Sequence, residues 1–166
     1  MSTLRVDNLN ARTGNNIIIP TGTVLTAPGH VIQVTSVSGL STVTSTSTSF
    51  VDIGSVSITP KFSTSRILIL ASTYAHRNTG SISNDYWNCA IYRNNVSTRL
   101  LTMADAVLYQ STADGFRQTI TGYIIDTPGT TSSVTYGMCA ARQTASGSAT
   151  FNQGAAGNIV LMEIGV

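Results

Sequence analysis

Charged side chains are scarce in this sequence of 166 residues. They make up 10% of it, against roughly a quarter in an ordinary soluble domain. Eight arginines are scattered along the chain and Lys61 is the single lysine, so no basic run marks a nucleic-acid-binding face. Hydrophobic residues reach 42%, which excludes the low hydrophobicity and high net charge typical of disorder. We therefore expect a folded chain with no nucleic acid as a partner.

Long apolar runs are also missing. No stretch approaches the roughly 18 consecutive apolar residues of a membrane span. Residues 1–10 lack the charged-then-apolar pattern of a secretory signal. The sequence thus predicts a soluble protein made in a cytoplasm, with no membrane as a partner.

Residues for catalysis or metal binding are few. The chain has two histidines, His30 and His76, and one glutamate, Glu163, which lies in an apolar run. A triad could be assembled only from His76, Asp85 and one of many serines, and an isolated histidine at a strand end is the favoured interpretation. Metal ligands at a recognisable spacing and glycine-rich phosphate loops are both missing. We predict no enzyme, no metal and no cofactor.

Cysteine is rare as well. Cys89 and Cys139 lie in apolar, strand-like runs without a CxxC partner. Buried free thiols are the prediction, and a disulfide is the alternative.

Short apolar or alternating runs separated by turn residues fill the rest of the chain. Clusters of Gly, Pro, Asn, Ser and Thr recur about every ten residues, a spacing typical of a β-sandwich or barrel. The predicted strands are residues 30–44, 50–59, 66–71, 86–92, 116–125, 134–141 and 159–164. Residues 98–109 fit a helical period roughly, and we expect a loop there with one turn of helix. The fold class is all-β.

Two of the predicted strands, residues 66–71 and 159–164, are apolar at nearly every position. Such strands are covered on both faces, yet one face of a two-layer sandwich meets water. A second copy of the chain is the plausible cover, so we predict a homotrimer. The candidate interface residues are Ile67, Ile69, Leu161 and Ile164.

The first 29 residues differ from the rest. They contain small apolar patches that are too short to bury themselves in one chain, and Pro28 and Gly29 end the segment. We predict an N-terminal stalk over residues 1–29 and a globular head over residues 30–166. The stalk residues expected to anchor the protein are Leu4, Val6, Leu9, Ile17 and Ile19.

Polar and aromatic residues near two strand ends could bind a sugar by stacking and hydrogen bonding. The candidates for this ligand-binding loop are Tyr74, His76, Asn78, Asn84 and Tyr86. Trp87 is in phase with Cys89 and Ile91, so we assign it to the core.

Three segments carry a resemblance to a known family. The run from Ile58-Thr59-Pro60 to Ile69, the run from Asp126-Thr127-Pro128-Gly129 to Tyr136, and the ending Ile159 to Ile164 resemble the C-terminal module of many tailed-phage fibre and virion proteins. Those modules are similar to the C1q and tumour-necrosis-factor jelly rolls, which assemble as trimers. The opening, from Leu4-Arg5-Val6 to Gly22, is similar to the short β-stalk that precedes the module.

The resemblance implies a trimeric jelly roll on a virion surface. Its partners would be other copies and other virion proteins, such as the major capsid protein or tail proteins. We favour a capsid decoration protein or short head fibre, because residues 1–29 reach at most roughly 90–100 Å when fully extended. The alternatives are a tail-fibre or tail-tip protein that recognises a host surface glycan and, less favoured, an enzyme acting on surface polysaccharide.

Overall fold

The computed structural model describes residues 28–78, 87–107, 117–143, 148–155 and 157–166. The stalk residues predicted from the sequence therefore lie outside the described residues. The described strands are β1 Val31–Ser38, β2 Val43–Ser45, β3 Val51–Ile58, β4 Arg66–Asn78, β5 Trp87–Arg93, β6 Asn95–Val107, β7 Arg117–Asp126, β8 Val134–Arg142, β9 Ser148–Phe151 and β10 Asn158–Ile164.

The strands form two antiparallel sheets. Sheet A has the order β1-β10-β4-β7, and β9 and β2 continue from the edge of β4 that also pairs with β10. Sheet B has the order β3-β8-β5-β6. Without the short strands β2 and β9, the eight remaining strands follow the order 1-8-3-6 in one sheet and 2-7-4-5 in the other. This is the order of a jelly roll, and it confirms the predicted fold class.

The core lies between the sheets and is built from alternate residues of each strand. Trp87, predicted to belong to the core, is fully buried there and meets the ring of Phe151 edge-on, with 5.5 Å between ring centroids. Gly54 lies at a bulge in β3. A Cβ on Gly54 would stand 2.5 Å from Leu40 Cδ1, so the glycine leaves room for Leu40 in the core. The side chains shared by the two sheets thus come mainly from β3, β4, β5, β8 and β10.

The outer face of sheet B is covered by the chain itself. Tyr92 and Cys139 are buried there in a small cluster with the partly buried Phe50, and Arg99 stacks 4.4 Å above the ring of Phe50. Sheet B therefore has apolar cover on both faces.

Both cysteines are buried free thiols, as predicted. Cys89 belongs to the core, whereas Cys139 belongs to the cluster on the opposite face of sheet B. Burial raises the pKa of each thiol to about 12, so both are unreactive at neutral pH.

Two predictions about local structure were wrong. The segment 98–109 was expected to contain a helical turn, but β6 continues as a strand to Val107. Leu101 and Met103 of β6 pack against the core from the edge of sheet B, so pairing with β5 outweighs the weak helical period. The segment 30–44 was expected to be one strand, but it breaks at Gly39, whose φ of 68° ends β1 before β2 begins.

Candidate functional site

The outer face of sheet A carries a continuous apolar surface. Cross-strand register places its side chains in two neighbouring rows, one running over β1, β10, β4 and β7 and the next over β10, β4 and β7. We call this surface the apolar face. Its seven residues are Val34, Met162, Leu68 and Ile125 in the first row, and Val160, Leu70 and Tyr123 in the second.

Four of these side chains are open to solvent in the single chain. The exposed fraction is 74% for Tyr123, 56% for Val34, 52% for Ile125 and 37% for Leu70. The other three are partly buried. Contiguous apolar residues at this density are typical of a contact surface, whereas single exposed apolar residues are ordinary. The contrast with sheet B shows that the chain itself can cover such a face.

A shallow cavity of about 320 Å³ indents the apolar face. Its apolar wall is formed by Leu70, Tyr123 and Val160, and its far side by the polar row of Ser72, Thr121 and Asn158. The apolar face therefore has a polar border on the side that leads to the far end of β4.

The interface residues predicted from the sequence lie mostly on the wrong side of the sheet. Ile67, Ile69 and Leu161 are at most 1% exposed and belong to the core. Only Ile164 has the phase of the outer face, where it is partly buried. Because the period of a strand is two, the residues available for contact are the neighbours of those predicted.

The two ends of the sandwich carry different features. At one end, which we call the base, the first and last described segments of the chain meet: Gly29 N donates to Gly165 O at 2.8 Å, and Gly165 N donates to His30 O at 3.0 Å. The carboxylate of Glu163 also lies at this end and accepts from Lys61 N at 2.7 Å and from Gln33 Nε2 at 2.6 Å. Glu163 is fully buried and holds a turn together.

At the other end, a cleft of about 370 Å³ opens on the same side of sheet A as the apolar face. Its described lining residues are Tyr74, Arg117, Gln153 and Gly154. We call it the distal cleft, because Tyr74 is eight residues along β4 from the base, or roughly 26 Å. His76 is the cross-strand neighbour of Arg117 beside it.

One residue of the predicted ligand-binding loop, Tyr74, lines the distal cleft. Tyr74 and His76 lie on the outer face of β4, but they belong to a strand and not to a loop. Asn78 ends the same strand, and Asn84 and Tyr86 lie outside the described residues. Sequence reasoning missed Arg117 and Gln153, because only strand pairing and the path of the chain after β9 place them beside Tyr74.

Asn152 fixes the wall of the distal cleft. It is fully buried, with a φ of 57°, and its amide N–H donates to Tyr74 O at 2.9 Å. Its Oδ1 accepts from Thr73 Oγ1 at 2.8 Å, and its Nδ2 donates to Ser41 O at 3.2 Å and to Ile53 O. The short 3₁₀ segment Gln153–Ala155 follows directly, so Asn152 holds the start of that segment against β4.

Metal binding, membrane spanning and a catalytic triad can be examined for the described residues. Within it, no group of three His, Cys, Asp or Glu side chains could hold a metal ion. The described residues also form no helix that is long and apolar enough to span a membrane. Asp85, the possible partner of His76 in a triad, falls outside these residues.

Comparison with known proteins gives fold matches alone. No family model and no curated protein matches the sequence. The VP2 subviral particle of infectious bursal disease virus matches at 12% identity and a TM-score of 0.47, over 90% of this chain and 37% of that chain. The T=1 particles derived from that virus match at 11% identity and a TM-score of 0.46, over 92% of this chain and 36% of that chain. The T13 particle of the same virus matches at 12% identity and a TM-score of 0.42, over 91% of this chain and 39% of that chain. This chain spans less than half the length of those proteins.

Proposed function

We propose that this protein is a non-enzymatic structural component of a bacteriophage virion surface that assembles as a homotrimer through the apolar face. The observation that carries the proposal is the contrast between the two sheets. Described residues of the chain cover the outer face of sheet B, whereas on sheet A four of the seven apolar side chains are exposed and three are only partly buried. Covering them with another copy removes apolar surface from water, which is the main favourable contribution to association.

A second copy suits the apolar face because the seven residues include no charged side chain. Two copies can therefore meet without burying an unpaired charge, which would cost several kcal/mol. The number three comes from the resemblance to head modules that assemble as trimers. The polar row of Ser72, Thr121 and Asn158 would form part of the rim of the contact.

Light scattering coupled to gel filtration tests the assembly. We expect a mass of about 52 kDa, three times the 17.4 kDa of one chain. Ile125→Arg places a charge in the apolar face and should shift the mass towards that of one chain, because the buried guanidinium would lack a partner.

Thr98→Arg is the matched control, since Thr98 is an exposed residue of β6 in sheet B. This variant should keep the mass of the unsubstituted protein. A mass near 17 kDa for the unsubstituted chain, or equal behaviour of the two variants, would contradict assembly through the apolar face.

For the position on the virion, we favour a capsid decoration protein or short head fibre. Residues 1–29, with Leu4, Val6, Leu9, Ile17 and Ile19, would anchor it to the major capsid protein. The base supports this arrangement, because Gly29, the last residue of that segment, lies at the base, opposite to the distal cleft. Purified phage heads, separated from tails and probed with an antibody to the chain, should contain the protein. Its absence from heads would exclude this position.

The second candidate function is a receptor-binding tail-fibre or tail-tip protein that recognises a host surface glycan. The distal cleft favours it, because it lies at the end opposite to the base and combines an aromatic ring with polar groups. If this candidate function is correct, the separation of phage heads from tails should recover the protein in the tail fraction.

A further inference from the structure

We propose that the distal cleft binds an anionic sugar unit, a pyranose that carries a carboxylate or a phosphate. The proposal deepens the receptor-binding candidate by giving the chemical class of its ligand, and it does not depend on the oligomeric state. Three features of the cleft carry it: an available cation, an aromatic platform and a rigid wall with hydrogen-bonding groups.

The cation is Arg117, at the start of β7. It is exposed, lines the cleft and makes no hydrogen bond or ion pair with any described residue. An arginine fork matches the two oxygens of a carboxylate or phosphate and binds them through parallel hydrogen bonds. His76 lies directly across the strand pair from Arg117, and its Nδ1 is buried without a hydrogen-bond partner among the described residues. His76 therefore lies next to the cation, whereas Arg117 is the described basic residue that lines the cleft.

The platform is Tyr74, two residues before His76 on the same face of β4. A half-buried tyrosine ring presents an apolar surface on which the carbon face of a pyranose can stack, and its hydroxyl stays available to the sugar. The cleft volume of about 370 Å³ lies in the range of small-ligand sites. A simple inorganic anion would leave this surface unused, so the combination selects a charged sugar.

The wall is the segment after β9. Gln153 offers an amide that can both donate and accept, and Gly154, in a left-handed conformation with φ of 69°, leaves its backbone open. Because Asn152 is fastened to β4 and to two other segments, these groups are held in place before a ligand arrives. Such preorganisation lowers the ordering cost of binding.

Isothermal titration of the full-length protein tests the proposal with defined probes. The probes are tri-galacturonate for a carboxylate, glucose 6-phosphate for a phosphate, and maltotriose and sodium acetate as a neutral sugar and a simple anion. We expect heat from at least one anionic sugar, at least tenfold weaker binding of maltotriose and acetate, and weaker binding at higher salt.

Arg117→Gln should weaken binding of the anionic sugar at least tenfold, and Tyr74→Ala should also weaken it. Arg66→Gln is the matched control, because it removes the same charge from an exposed residue at the other end of the same sheet, and it should bind like the unsubstituted protein. Thermal melting confirms that each variant is folded, and Arg117→Lys provides a folded conservative variant with the charge retained.

Three outcomes would overturn the proposal: no binding of either anionic sugar at millimolar concentration, equal binding of maltotriose, or equal loss in Arg117→Gln and Arg66→Gln. The readout also separates this proposal from assembly, since the mass of the protein is measured independently. A trimer without sugar binding removes the cleft proposal and leaves the assembly proposal standing, and sugar binding by a monomer does the reverse.

Discussion

Individual buried polar residues hold the irregular parts of this protein in place. Asn152 links the segment after β9 to Ser41, Ile53 and Thr73, which belong to three other parts of the chain. The sequence around Asn152 reads as an ordinary turn, and its partners are distant in the chain. Its role could not be predicted, because local pattern carries no information about such long-range hydrogen bonds.

Replacing Asn152 with alanine should destabilise the protein strongly. The variant leaves buried carbonyl and hydroxyl groups without partners and forces alanine into a left-handed backbone conformation. We expect the free energy of unfolding to fall by about 3 kcal/mol, measured by urea denaturation.

Asn94→Ala is the comparison for that variant. Asn94 has nearly the same φ, 60°, but it is exposed in the turn between β5 and β6, where its Oδ1 accepts from Thr135 N at 3.0 Å. Its loss should cost only about 1 kcal/mol, since water can replace the hydrogen bond. Equal losses in the two variants would show that the burial of Asn152 contributes nothing.

At the scale of strands, alternation was informative and uniform apolarity was not. In the segment 134–141, the period of two places Val134, Tyr136 and Met138 on one face, and in the structure that face is the inner one. The run Ile67-Leu68-Ile69-Leu70 is apolar at every position, so its period gives no indication of which pair faces inward. Packing against sheet B decides that, and it places Ile67 and Ile69, which were predicted at the interface, in the core.

The two sheets are tied together at the base by a network from three strands. Tyr136 of β8 donates its hydroxyl proton to Asp126 Oδ2 at 2.7 Å, and Arg93 of β5 pairs with the same carboxylate at 3.0 Å. Asp126 is the last residue of β7 in sheet A, whereas the other two belong to sheet B. The hydrogen bonds therefore join the layers where the loop from β7 to β8 crosses between them.

Tyr136→Phe should lower the free energy of unfolding at pH 7 by about 1–2 kcal/mol, because it removes a hydrogen bond to a charged acceptor. Burial and then the Asp126 carboxylate raise the pKa of Tyr136. Above the pKa of about 10 of a free phenol, the unfolded state binds fewer protons than the folded state, so stability decreases as the pH rises. The free energy of unfolding of Tyr136→Phe should therefore fall less between pH 7 and pH 11 than that of the unsubstituted protein.

Urea denaturation at pH 7 and at pH 11 measures both effects. Thr98→Val is the control, because it removes a hydroxyl from an exposed residue of β6 that lies outside the apolar face, and it should leave both values within about 0.5 kcal/mol. An unchanged stability at pH 7 in Tyr136→Phe would mean that the network does not join the sheets energetically.

At the scale of the whole molecule, sequence reasoning reached the jelly roll through the resemblance and the all-β class through composition and turn spacing. It also led to the expectation of a second cover for the doubly apolar strands. The structure adds the asymmetry between the two sheets, which depends on the Phe50 and Arg99 cluster covering sheet B alone. No local pattern predicts that cluster, because its members meet only when the strands are paired.

The meeting of the first and last described segments at the base has a mechanical consequence. From the base, β1 runs along β10 through seven paired positions, from Val31 to Ser38. A pulling force that enters through the leading segment, while the opposite end is held, acts along the length of β1. The hydrogen bonds to β10 would then carry the load together in shear instead of opening one by one, so the sandwich resists being pulled apart at its base.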